Sequence, residues 1–305
     1  MNAADIDNIQ LDLGSSSEIA MMITLSLMMF AVALGLRREH FAFFKSNPKV
    51  YFIGVFAQIL GLPALTVALC ALINPQPSIA LGMILIACCP GGNTSNLLAL
   101  FGRADTALSV SLTATSSVAA AFITPVSILF WSSLYPPTDA LLSEINLDIV
   151  SFLTQTLIIL ALPLFIGMAM GHFAPRLAAK LQKPLAILAG LGLAIIIIGA
   201  VIKFSPILIN IGAGIIGLVI VHNGLAFFLG FLAGIISKAS IRQRRALTFE
   251  VGIQNSGLGI VILLTQLGGL GGAGAIAGLW GTWHIIGGLI LVFIFQRNDR
   301  KAAHV

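Results

Sequence analysis

The residues best suited to chemistry lie in two polar stretches set inside apolar sequence: Cys88-Cys89-Pro90-Gly91-Gly92-Asn93-Thr94-Ser95-Asn96 and Glu250-Val251-Gly252-Ile253-Gln254-Asn255-Ser256-Gly257. The second carries a carboxylate, and both carry neutral oxygen donors. Such a set suits a hard cation that takes oxygen ligands, and sodium fits. Ser109 and Thr113 add two hydroxyls spaced i, i+4, on one face of a helix. Alone, that pair more often packs or bonds back to its own helix. Pro90 removes a backbone donor and clashes with the preceding turn, so the first stretch should unwind and free carbonyls and N–H groups. A half-helix beginning after Asn93 or after Asn255 then points free N–H groups inward, where a carboxylate would bind. The residues themselves thus nominate Ser95, Asn96, Ser109, Thr113 and Glu250 for a cation, and the helix starts after Asn93 and after Asn255 for an anion. A proton replaces the cation if Glu250 titrates.

The elements that must position these groups are membrane helices. Of 305 residues, 58% are hydrophobic and 9% are charged, far from the quarter that soluble domains carry. Apolar runs near the length needed to cross a bilayer recur between residues 19 and 295. Alternating strands of about ten residues are absent, which disfavours an outer-membrane barrel. The expected fold is all-α, with nine spans at 19–36, 50–73, 79–101, 107–134, 148–171, 185–202, 207–236, 246–266 and 274–295. Connecting segments fall alternately on two sides. One side holds 15 of the 16 basic residues, and the other holds Lys203 alone. That asymmetry places the first side in the cytoplasm, the N-terminus outside and the C-terminus inside. The net charge of +5 is therefore a topology signal rather than a nucleic-acid footprint.

The domain plan is an outside tail over 1–18, one membrane domain over 19–295 and a cytoplasmic tail over 296–305. The acidic start (Asp5, Asp7, Asp12, Glu18) lacks the basic region of a cleavable signal. Asn74-Pro75-Gln76-Pro77 and Tyr135-Pro136-Pro137-Thr138-Asp139 read as short outside turns. Cys70, Cys88 and Cys89 form no disulfide or CxxC pattern and read as small packing residues.

The third and eighth spans contain the two polar stretches and run in opposite directions, five spans apart. Irregular backbone at membrane depth is tolerated only inside protein or along a wet cavity. The arrangement predicts an inverted repeat, four spans plus five (19–134 and 148–295), with two crossing discontinuous helices. Gln58 in the second span and His222-Asn223 in the seventh echo it. A packing kink is the plainer account of one Pro-Gly-Gly stretch, but two related interruptions favour a site. Glu250 is the one acid inside a span, where a charge costs ~2.5–3.5 kcal/mol and is functional by default. The competing account is a surface acid paired with Arg244 or Arg245. His222 reads as structural.

"CCPGGNTSN" followed by "ALSVSLTATSS", and "LTFEVGIQNSG" followed by "WHIIGG", resemble the bile acid:sodium symporter family over about residues 19–295. The resemblance implies a panel domain packed on a core with two crossing broken helices and two sodium sites. It implies one sodium at Ser95, Asn96, Ser109, Thr113 and Glu250, and a second at Gln58, Glu250, Val251, Ile253 and Gln254. The substrate cavity it implies lies beside Asn93, Asn255 and His284. The chain departs from the family at Trp283-His284-Ile285, where Trp-His-Asn is frequent, and at Asn93, where small hydroxyls are frequent. Many bacterial members have ten spans, one more than here. His284 reads equally as a helix-packing histidine.

The combined expectation is a sodium-coupled symporter importing a small organic anion, bile acid-like, pantoate-like or a keto or hydroxy acid, across a plasma membrane (the inner membrane if bacterial). A proton-coupled organic anion carrier or a cation/proton antiporter of related fold is the alternative. An intramembrane enzyme is disfavoured, since no HExxH, paired aspartates or usable Ser/His pair is present.

Overall fold

The computed structural model describes residues 14–41, 43–209 and 213–302, and every named element among them is a helix. Most of the expected tail, with Asp5, Asp7 and Asp12, lies outside the described residues. Besides the single turns Arg38–Phe41 and Phe43–Ser46, the helices in chain order are α1 (Ser15–Gly35), α2 (Pro48–Ile73), α3 (Pro77–Ala87), α4 (Asn93–Phe101), α5 (Thr106–Ser133), α6 (Pro136–Glu144), α7 (Ile149–Phe173), α8 (Pro175–Ile209), α9 (Ala213–Ile236), α10 (Ile241–Gly252), α11 (Ser256–Gln266) and α12 (Gly271–Ala302). Among the described residues, α1, α2, α5, α7, α8, α9 and α12 are long and apolar enough to cross a membrane. The segments read as the third and eighth spans are instead two interrupted pairs, α3 with α4 and α10 with α11.

Local chemistry explains most departures from straight helices. In α2 the turn Ala57–Gly61 widens to π geometry. Pro63 follows, and its ring lacks an N–H and crowds the carbonyl four residues back, which opens that turn. Gln58 sits on the widened turn, buried. The loop expected after α5 is a short helix, α6. Pro136 and Pro137 suit its first turn, and Leu141 and Leu142 are buried against the bundle. The helix expected at 185–202 begins ten residues sooner, at Pro175. Ala, Leu, Lys and Gln between 177 and 183 are strong helix formers, so α8 continues past the apolar run.

Helix α1 packs along α7 and α8. A Cβ on Gly167 would meet Ala33, and Ser26 Oγ donates to Ile159 O at 3.5 Å, so α1 and α7 run parallel. Gly35 abuts Gln182 and Gly192 abuts Thr24, so α1 and α8 run antiparallel. The broken pairs sit deeper. Leu81, Ile84, Leu85 and Ile86 of α3 and Val261, Ile262 and Leu263 of α11 are fully or almost fully buried. Trp280 of α12 joins them, its ring edge-on to His222 at 4.5 Å. The site is thus carried by the most enclosed part of the molecule.

Candidate functional site

The two interruptions meet. Gly91 and Gln254 pair as a single antiparallel bridge. Asn255 N–H donates to Pro90 O at 2.8 Å, and Gly92 N–H donates to Ile253 O at 3.4 Å. Each unwound stretch therefore supplies partners for backbone groups that the other leaves open, as buried backbone requires. Pro90 makes the break in the first chain. In the second, Ile253 is extended and Asn255 caps the next helix, its Oδ1 accepting from Leu258 N–H at 3.1 Å.

Glu250 lies at the end of α10, two residues before the break, with no exposed surface. Ser95 Oγ donates to its Oε2 at 2.7 Å, Ser109 Oγ lies 3.1 Å from Oε2, and Thr113 Oγ1 lies 2.6 Å from Oε1. Asn96 Oδ1 stands 2.8 Å from Ser109 Oγ and 3.2 Å from Thr113 Oγ1. The structure thus brings together all five residues nominated for a cation. The surface-acid account of Glu250 does not hold, because Arg245 engages Asp299 through two hydrogen bonds of 2.9 and 2.5 Å. Among the described residues Glu250 has no ion-pair partner.

Counting protons shows what this cluster lacks. Ser95 Oγ also lies 2.8 Å from Gly92 O. The three hydroxyls, Ser95, Ser109 and Thr113, therefore face two acceptors apiece with one proton each. With the Asn96 carbonyl turned inward, lone pairs outnumber donors around a buried negative charge. A hard monovalent cation offsets both the surplus and the charge. With the Asn96 amide turned over, its Nδ2 donates to Ser109 and Thr113 and the cluster closes largely without an ion.

The residues implied for a second cation gather around backbone carbonyls of the same break. Gln58 Nε2 lies 3.5 Å from Glu250 O, and Gln254 Nε2 donates to Val251 O at 2.8 Å. Gln254 Oε1 is buried without a hydrogen-bond partner. Ile253 O already accepts from Gly92.

A cavity of about 290 Å3 opens beside the cluster, between α1 and α8 on one side and α4 and α5 on the other. Asn93, Asn96 and Thr113 line it, so Asn96 and Thr113 face both cluster and cavity. Asn255 and His284 do not line this cavity. Asn255 serves as a helix cap, and His284 is 4% exposed within α12 with Nδ1 unpartnered. His222 bonds Thr66 Oγ1 at 2.7 Å, in keeping with a structural role. His40 and Gln182 also line the cavity. They come from segments read as loops, where neither spacing nor apolar periodicity marks them.

Comparison with known proteins adds an independent line. The profile of the Sodium Bile acid symporter family matches residues 22–210. The chain is 29% identical over 279 residues to the uncharacterized sodium-dependent transporter YocS of Bacillus subtilis (strain 168), covering 92% of this chain and 84% of that protein. It is 29% identical over 282 residues to the probable chloroplastic sodium/metabolite cotransporter BASS1 of Arabidopsis thaliana, covering 92% and 67%. It is 29% identical over 238 residues to the ileal sodium/bile acid cotransporter of Homo sapiens, covering 77% and 66%.

Proposed function

The chain belongs to the sodium bile acid symporter family, and from that membership and the Glu250 cluster we propose that it imports a small organic anion together with sodium. As a member it is a sodium-dependent, multi-pass membrane transporter, and its relatives are transporters rather than enzymes. The observation that carries the coupling is the fully buried Glu250 carboxylate, ringed by hydroxyl and amide oxygens and lacking a cationic side chain.

In this reading Ser95, Asn96, Ser109, Thr113 and Glu250 hold one sodium. Gln58, Gln254 and the carbonyls of Glu250, Val251 and Ile253 hold a second. The orphaned Gln254 Oε1 supports the second site, since a buried acceptor without a donor costs stability until a cation or donor meets it. Asn96 links the ion to the anion. When its carbonyl faces sodium, its Nδ2 turns toward the cavity and donates to the anion there. Asn93, at the N-terminus of α4, adds helix N–H groups and the positive end of a dipole. Asn255 and His284 complete the anion site after a movement that brings α11 and α12 toward the cavity.

Counting each interrupted pair as one crossing, with the seven long helices, gives nine spans arranged four plus five. The antiparallel meeting of the two breaks supports an inverted repeat, and the one-sided basic residues support an outside N-terminus. Alternating access follows if α1, α7 and α8 move as one layer against the helices carrying the breaks. The substrate is a small anion, since the cavity is at the small end of the range for ligand sites. Relatives named for bile acid and for metabolites leave both classes in the assay.

The test is uptake of labelled organic acids into proteoliposomes under a sodium or a choline gradient. Uptake that needs sodium and is lost in Glu250→Ala is expected. Equal uptake in both media refutes the reading, and uptake driven by a proton gradient alone favours the proton-coupled alternative.

A further inference from the structure

We infer that His40 and Gln182 form a second recognition pole of the cavity, donating to an oxygen at the far end of the anion from its carboxylate. This rests on the symport reading above. The cavity follows α1 from Met28 to Leu36 and α8 from Gly190 to Gln182. Each stretch spans eight residue steps, about 12 Å at the helical rise. A slot so long and only about 290 Å3 in volume holds a slender molecule. Its substrate must place polar groups where the walls are polar.

Two polar pairs line it, with Thr113 and Ser117 of α5 beside them. One is the Asn93 and Asn96 pair of the broken helix, beside the cation cluster. The other is the pair of His40, on the 3-10 turn Arg38–Phe41 that follows α1, and Gln182, within α8. Val32 and Leu36 give the wall apolar character. His40 Nδ1 accepts from Arg37 N–H at 3.4 Å, so the neutral ring carries its proton on Nε2. Nε2 makes no hydrogen bond among the described residues. Among the described residues the Gln182 carboxamide also makes none, and it lies against Gly35. A Cβ on Gly35 would stand 2.2 Å from Gln182 Nε2, so the bare glycine leaves the room that the amide occupies. Donors without protein partners, facing a cavity, are what a substrate oxygen needs. Among the described residues no Lys or Arg lines the cavity, and these neutral donors recognise a keto or hydroxyl oxygen or a second carboxylate.

The experiment uses three five-carbon acids that differ only at the far end: pentanoate, 4-oxopentanoate and glutarate. Each is offered to proteoliposomes of the full chain under a sodium gradient. At least one of the two-ended acids should be taken up about tenfold more efficiently than pentanoate. His40→Ala and Gln182→Ala should each raise its KM about five- to tenfold with the half-saturating sodium concentration unchanged. His40→Gln keeps an N–H donor and should restore KM to near the original. Equal uptake of all three acids, or a KM that neither alanine variant moves, overturns the proposal. So does no sodium-dependent entry of any of them. In that event a sodium-dependent thermal shift of the purified protein separates the failures: sodium stabilisation spares the coupling reading, and its absence removes both.

Discussion

A Cβ placed on Gly91 would lie 2.3 Å from Glu250 Oε1 and 2.8 Å from Gln58 Nε2. The backbone of the first break is therefore pressed against the carboxylate of the second. Gly91→Ala should overpack this point at a cost of about 1–3 kcal/mol and displace Glu250 from Ser95 and Thr113. The expected result is a lower thermal midpoint and loss of sodium-dependent uptake. Gly92 is the control. The nearest atom to a Cβ there is Gln254 O at 3.6 Å, an ordinary contact. Gly92→Ala should keep both properties, and equal damage from the two would sink the assignment.

The hydroxyls around Glu250 make a graded prediction. Thr113→Val removes the group 2.6 Å from Oε1 and 3.2 Å from Asn96 Oδ1 while keeping its shape. Ser109→Ala removes the one 3.1 Å from Oε2. Hydrogen bonds to charged groups contribute about 1.5–3 kcal/mol, so the half-saturating sodium concentration should rise roughly ten- to a hundredfold for Thr113→Val. Ser109→Ala should rise less, because its contact is longer. Uptake as a function of sodium concentration reads both. An unchanged sodium curve in Thr113→Val places the ion elsewhere.

Much of this site was legible because membranes punish polar residues. Glu250, Gln58 and the Pro90-Gly91-Gly92 break stood out against apolar sequence, and the structure gathers them. The reach of Asn96 into the cation cluster was legible from its neighbours. What was not legible depended on tertiary packing. Asn255 turned inward to cap α11 because Leu258 N–H needed an acceptor. Helix α8 ran back to Pro175 on good local propensity, carrying Gln182 into a cavity wall. The helix Pro136–Glu144 was hidden because a double proline signals a turn and a helix start alike.

Stoichiometry has an electrical consequence. Two sodium ions moving with one monovalent anion carry one net positive charge inward per cycle. A potential of 100 mV, negative inside, then contributes about 2.3 kcal/mol, equivalent to roughly fifty-fold greater accumulation at equilibrium. A potassium diffusion potential set with valinomycin should raise accumulation of a monoanion accordingly. Accumulation indifferent to potential indicates one sodium per anion and leaves the Gln58 and Gln254 site without a transported ion.

At the far end of α10, five residues before Glu250, Arg245 ties three elements together. Its guanidinium donates to both Asp299 oxygens and to Gly102 O at 3.2 Å, and stands 4.9 Å from the Phe295 ring. Gln296 donates to Phe101 O at 2.8 Å beside it. The clamp holds the end of α12 against the end of α4, the helix that supplies Ser95 and Asn96. Asp299→Asn keeps the shape but leaves a nearly buried cation without its counter-charge, at a cost of about 1–3 kcal/mol. Arg245→Lys should cost as much, because a point charge cannot reproduce the bidentate pair and the ring contact together. Both variants should melt several degrees lower in detergent while uptake remains sodium-dependent. Salt should not mask the difference, since the guanidinium is largely shielded from solvent. An unchanged midpoint in Asp299→Asn would mean that packing alone holds these helix ends, and the ion pair is incidental.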